Sequence, residues 1–151
     1  EFFIDDKNDL TFLEIAARIP GAKVVPLIEF TYDIDLLIIN YLIEMNNFSW
    51  KTKFNSKIIK KQELYYAIYL SPFKYNISVE ITKIDLTNLT QVNIEKTFLP
   101  SIGEKLNPNA VLYNNLGAII FSGKNSNDLF EQYNYLKQNY TVEVKLLEEY
   151  Y

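Results

Sequence analysis

Residues 116–147, LGAIIFSGKNSNDLFEQYNYLKQNYTVEVKLL, read as strand, helix and strand in succession. The run LGAIIFSG (116–123) is short, continuous in its apolar residues and closed by Ser-Gly, the pattern of a buried strand. Residues 127–139 place Leu129, Tyr133 and Leu136 at i, i+4 and i+7, one face of an amphipathic helix, with Ser126 or Asn127 positioned to cap it. TVEVKLL (141–147) is a closing strand. Upstream lie three further strand-like runs, LYYAIYL (64–70), NISVEITKID (76–85) and VNIEKTFL (92–99), split by Ser71-Pro72 and by a Thr/Asn-rich segment. Strands followed by a helix and a last strand predict an α+β fold, with a mainly antiparallel sheet carrying helix on one face.

Composition narrows the chemistry. At 151 residues the chain is one ordinary domain, or a small domain plus a piece of another. With 48% hydrophobic and 23% charged residues it should form a packed core. A net charge of −4 argues against nucleic acid as a partner, since that affinity rests on a basic stripe. Cys and His are both absent, which removes thiol nucleophiles, zinc sites built on those ligands and imidazole acid–base catalysis. Any metal must then be a hard cation held by oxygen. No run reaches membrane-spanning length and no basic-then-apolar signal opens the chain, so a cytoplasmic protein without membrane contact is expected.

The opening stretch EFFIDDKNDLTFLEIAARIPG (1–21) predicts a β-hairpin. Asp6-Lys7-Asn8-Asp9 supplies the turn chemistry, alternation resumes from Thr11, and Pro20-Gly21 ends the second strand. If the turn is residues 6–9, Asp5 faces Leu10 and facing residues sum to fifteen, which sets Glu1 across from Glu14 on one face. Two carboxylates at about 5 Å repel by roughly 3 kcal/mol at an effective dielectric of about 20. A cation between them would turn that liability into a binding site, and Mg²⁺ suits it because it takes one or two carboxylates and completes its shell with phosphate and water. Arg18, on the same face, offers a planar fork for a carboxylate or phosphate. Glutamates on a solvated strand face would give the same spacing with no function, and spacing alone favours that reading.

Residues 33–46, DIDLLIINYLIEMN, predict a helix capped by Thr31 or Asp33. Apolar residues cover most of its circumference, which demands burial on several sides. A polar stretch, NNFSWKTKFNSKIIKKQE, follows.

The string LEIAARIPG (13–21), preceded by a strand beginning with Glu1 and followed by an apolar helix after Asp33-Ile34-Asp35, resembles the end of an ATP-grasp domain. The resemblance implies that Glu1 and Glu14 are ligands of Mg²⁺ (Mn²⁺ as the alternative) and so bind the ATP cofactor. It implies that Arg18 is the catalytic residue contacting substrate or an acyl-phosphate, and that Gly21, in the Pro20-Gly21 turn, lines the substrate pocket. Ala16 stands where many members carry a metal-binding Asn, and Ala22 where a second glycine is common. Both departures are familiar in the carboxylate–amine ligase branch and count against a biotin-carboxylase-like enzyme.

On this likeness residues 1–48 are the C-terminal piece of an ATP-grasp domain, a β-hairpin plus buried helix. Residues 49–63 connect it to a small α+β C-terminal domain, 64–151. AIYLSPFKYNISVEI, the Gly103-x-x-Leu106 element, LGAIIFSG and the amphipathic helix follow in the order such ligases show. The implied reaction joins a carboxylate to an amine: the acid attacks the γ-phosphate, giving an acyl-phosphate and ADP, and the amine displaces phosphate. The implied partners are ATP, small carboxylate and amine substrates, the upstream part of the same enzyme and a second subunit in a homodimer. The rival from another class is a non-catalytic interaction or dimerisation module built on Tyr65, Tyr66, Tyr69, Tyr133, Tyr135 and Tyr140.

Overall fold

The structure, a computed structural model, describes residues 2–4, 7, 9–12, 21, 23–46, 63–108 and 115–147, with backbone alone for 2–4, 10 and 12. The described residues form an α+β fold with three helices and two antiparallel three-stranded sheets, beside a two-stranded opening pair. That pair is β1 (Phe2–Ile4) and β2 (Leu10–Phe12). Helix α1 (Val24–Tyr32) and helix α2 (Leu36–Glu44) come next. The sheets are built from β3 (Tyr65–Pro72), β4 (Val79–Asp85), β5 (Ile94–Phe98), β6 (Lys105–Leu106), β7 (Asn115–Gly123) and β8 (Thr141–Leu146), with helix α3 (Ser126–Asn139) between the last two.

One sheet has the order β3-β7-β5 and the other β6-β4-β8. β7 is central to the first, and every residue of it after Asn115 is buried. Its two faces are covered differently. Ile119 and Phe121 join Tyr69, Leu89, Val92, Leu136 and Tyr140 in the main core, under α3. Ala118 and Ile120 alternate to the other face, where their cross-strand partners include Phe98 and Ile68. That is the face to which Tyr66 belongs, and Phe30 of α1 packs on Tyr66 with ring centroids 5.9 Å apart. Helix α1 thus brings residues before 48 into contact with the sheet that begins at 65.

In the second sheet, β4 carries Val79 and Ile81, both fully buried. A bulge between Ile81 and Lys83 gives β4 one extra residue against β8, so Ile84 also turns toward the core while Lys83 points out to meet Glu143 at 3.0 Å.

Helix α3 begins one residue earlier than the periodicity suggests. Its cap is Asn125, whose Oδ1 accepts the Asp128 N–H at 3.0 Å; Asp128 in turn accepts the Lys124 N–H at 2.8 Å. The Lys124 backbone and Gln132 side-chain hydrogen bonds hold the Asp128 carboxyl below its ordinary value. Leu136 is fully buried as expected, but Tyr133 is 40% exposed and Gln132 takes the inward place beside it. The Gln132 amide donates to the Ser122 carbonyl at 2.8 Å and accepts the Asn93 N–H at 2.8 Å, tying α3 to the end of β7 and the approach to β5. A buried side chain so satisfied costs little to desolvate.

Residues 24–32, whose pattern predicts no element, are helical, and the next helix is shorter than the predicted 33–46. Its cap is Asp35, not Thr31 or Asp33: Asp35 Oδ1 accepts the N–H groups of Leu37 (2.9 Å) and Ile38 (3.0 Å). Asp33 instead closes α1 in the left-handed conformation, φ 54°. The expected all-round burial is not found. Leu37, Ile38, Tyr41 and Met45 are 49–62% exposed, and only Ile34, between the helices, is buried.

The start of β7 depends on one close approach. Tyr140 Oη donates to the Leu116 carbonyl at 2.6 Å, beside a register shift between Leu70 and Pro72 opposite Leu116-Gly117. Gly117 has φ +133°, and a Cβ there would collide with that hydroxyl. Gly117→Ala should therefore lower stability by about 3 kcal/mol, read from the urea midpoint. Burial lifts the Tyr140 phenol from 10.0 to about 12, with Tyr69 adding to the effect. The unfolded chain then ionises first, so stability is intact below pH 10.0 and is lost as pH rises from there toward 12. Urea melts across that window should show the loss, and Tyr140→Phe should reduce it.

Candidate functional site

The first candidate is the acidic pair expected from the hairpin. In the described strands Phe2 pairs with Phe12, Phe3 with Thr11 and Ile4 with Leu10, so facing residues sum to fourteen, not fifteen. Leu10 faces Ile4, not Asp5. This register matches apolar residues with apolar ones at two of the three pairs; pairs summing to fifteen would do the same with Phe2–Leu13 and Phe3–Phe12, so apolar matching does not choose between the two registers. A one-residue change moves a side chain to the opposite face, so β1 and β2 give no support to setting Glu1 across from Glu14. Glu1, Glu14, Ala16 and Arg18 themselves lie outside the described residues. Among the described residues no group of three or more acidic side chains is gathered to hold a metal.

Gly21 is described and exposed. Its carbonyl accepts the Val24 N–H at 3.0 Å, making the turn by which the chain enters α1. Lys23, inside that turn, has φ 67°, a left-handed conformation costly for a residue with a Cβ.

That strained residue borders the second candidate, a cavity of about 390 Å³. Its described walls come from four places: Lys23 before α1, Phe98 and Leu99 at the end of β5, Glu104 and Leu106 around β6, and Asn115 opening β7. It therefore lies where the ends of both sheets approach the entrance to α1. The volume is in the range of small-molecule sites.

Its polar groups are held by identifiable contacts. Lys23 Nζ stands 4.8 Å from the centre of the Phe98 ring, and Lys96 approaches the same ring at 5.4 Å. Glu104 ends a tight turn whose Gly103 has φ +85°. Gly103 N–H donates to the Ile81 carbonyl at 2.7 Å and Ile81 N–H to the Glu104 carbonyl at 2.9 Å, pinning the turn to β4. Glu104 Oε2 accepts the Ser101 N–H at 2.8 Å. Among the described residues neither Lys23 nor Glu104 forms an ion pair. Sequence reasoning missed this cavity because its walls are scattered from 23 to 115; Gly103, in a chain with only 4 glycines, was the one local signal.

The Tyr-rich segments divide between core and surface. Tyr69 (5% exposed) and Tyr140 (7%) are buried, Tyr69 packing edge-on against Tyr133 and Tyr140 with centroids 5.7 and 6.0 Å apart. Tyr135 is half-buried and its hydroxyl donates to the Asn88 carbonyl at 2.6 Å; Tyr66 is half-buried and Tyr65 exposed. Burial and Tyr133 raise the Tyr69 phenol against an opposing hydrogen bond from Ser71.

Compared with the profiles of known protein families, the chain matches none. A search of curated proteins also finds no match. Among the described residues no helix is long and apolar enough to cross a membrane.

The hairpin register is directly measurable. Backbone NOEs should connect Phe3 with Thr11 and Ile4 with Leu10; contacts linking Asp5 with Leu10 instead would restore the fifteen register.

Proposed function

We propose that the chain is the C-terminal portion of an ATP- and Mg²⁺-dependent carboxylate–amine ligase of the ATP-grasp kind, acting in the cytoplasm. The observation that carries this reading is the string LEIAARIPG, with Glu14 and Arg18 four residues apart ahead of Pro20-Gly21. The order of elements is compatible with it: two strands, the Gly21 turn, helix α1, an Asp35-capped apolar helix, then antiparallel strands with an amphipathic helix before the last of them. Glu1 and Glu14 would hold Mg²⁺, or Mn²⁺ in its place, since their oxygen chemistry suits a hard cation. The metal would draw charge from the phosphates of ATP. Arg18 would orient the substrate and offset charge at the transferring group, and Gly21 would border the substrate. No side-chain nucleophile is needed, which suits a chain with neither Cys nor His.

The exposed apolar stripe of α2 fits a piece whose neighbours lie elsewhere, in the upstream part of the enzyme or in a homodimer. The same stripe favours the second reading, a non-catalytic interaction module, with α2 adding to the exposed Tyr65 and Tyr133 as its surface. Burial of Tyr69 and Tyr140 takes both out of any such contact.

Two measurements separate these readings. Purified 1–151 should neither hydrolyse ATP nor ligate; turnover by it would refute the fragment reading. In the longer protein that contains this chain, Glu14→Gln should cut Mg-ATP turnover by about a hundredfold or more. Unchanged turnover there would remove Glu14 from the metal site, and an absence of any ATP turnover before substitution would favour the interaction module.

A further inference from the structure

We propose that the cavity bordered by Lys23, Phe98 and Glu104 binds a free α-amino acid: Lys23 receives the carboxylate, Glu104 the ammonium, and Phe98, Leu99 and Leu106 the side chain. Three observations lead there. The first is charge. A cation and a carboxylate border one cavity of about 390 Å³, and neither forms an ion pair with the other or with any described residue. Opposite charges left apart across a small cleft select a ligand carrying both complements, which a free amino acid does within a few bonds.

The second is preparation. Glu104 is fixed through Oε2 by the Ser101 N–H, which leaves Oε1 for a ligand, and its turn is tied to β4 by two backbone hydrogen bonds. Lys23 is kept in a left-handed conformation with its ammonium over Phe98. Strain of that kind persists only where surrounding structure enforces it, and it gathers at ligand sites. The third is the wall: Phe98, Leu99 and Leu106 are half-buried and give an apolar side chain a place to lie, while Lys96 beside Phe98 biases the rim toward an anionic group.

The inference uses none of Glu1, Glu14 or Arg18 and goes beyond the ligase reading; either can fail without the other. Its test needs neither ATP nor magnesium. The ¹⁵N-labelled 1–151 chain is titrated with free amino acids one at a time, then with the N-acetyl and the carboxamide forms of the best binder. At least one amino acid with an apolar side chain should give saturable shifts at Leu99, Glu104 and Leu106. Each blocked form, and each of Lys23→Asn and Glu104→Gln, should weaken binding by about tenfold or more. Asn tolerates the left-handed backbone at 23, and Gln keeps an acceptor for Ser101. No saturable shift with any amino acid would overturn the proposal. So would blocked forms that bind as well as the free one, or variants that bind as well as the parent. Should a variant not fold, the comparison of free with blocked ligands on the native chain decides.

Discussion

The structure depends on burying β7 from both sides. A strand in the middle of a sheet, apolar on each face, has no solvated side, so helix must lie on one face and something else on the other. Helix α3 covers Ile119 and Phe121, and α1 packs on the same sheet at Tyr66, toward the face of Ala118 and Ile120. Four fully buried residues in a row, Ala118 to Phe121, bring a favourable transfer term of about 1.5–3 kcal/mol for each large side chain. Covering β7 therefore couples the segment before residue 48 to the sheet after 64.

Much of the fold was legible in the sequence because the later strands and α3 obey simple periodicities. The 116–123 run, the alternation of 141–147 and the 129–136 spacing each admit one reading, and the structure agrees within a few residues. The misses have physical causes. Val24, Val25, Pro26, Ile28 and Thr31 disguise α1: four β-branched residues and a proline suppress the helical signal, yet proline is tolerated in a first turn, where N–H groups have no intrahelical partner. The hairpin register differs by one from the expectation because apolar matching is equally good in both registers, two pairs of three, and a four-residue turn alone does not separate them. Gln132 sits on the stripe of Leu129 and Leu136, but a polar residue there makes sense only once the Asn93 and Ser122 backbone groups are known to converge on it. The two-residue β6 is too short to carry a pattern at all.

The candidate sites divide along the same line. Glu14, Arg18 and Gly21 are nominated because they are close in sequence and form a string with a family likeness; Glu14 and Arg18 lie outside the described residues. The cavity was not, since Lys23, Phe98, Glu104 and Asn115 meet only after two sheets and a helix have assembled. The Lys23 conformation and the Glu104 turn are products of that assembly. Local pattern can nominate residues that act from neighbouring strands; it is blind to charges brought together by topology.

The free margins of the sheets have a consequence of their own. β3 and β5 flank β7, and both are unsuited to extending the ladder with another chain: β3 closes on Pro72, which lacks an N–H, and β5 is kinked at its bulge beside Glu95 and Lys96. In the other sheet β6 is only two residues long and β8 shows Glu143 and Lys145 to solvent. Strand-to-strand extension is thus disfavoured along the described margins of both three-stranded sheets, even though the same chain leaves an apolar helix face exposed.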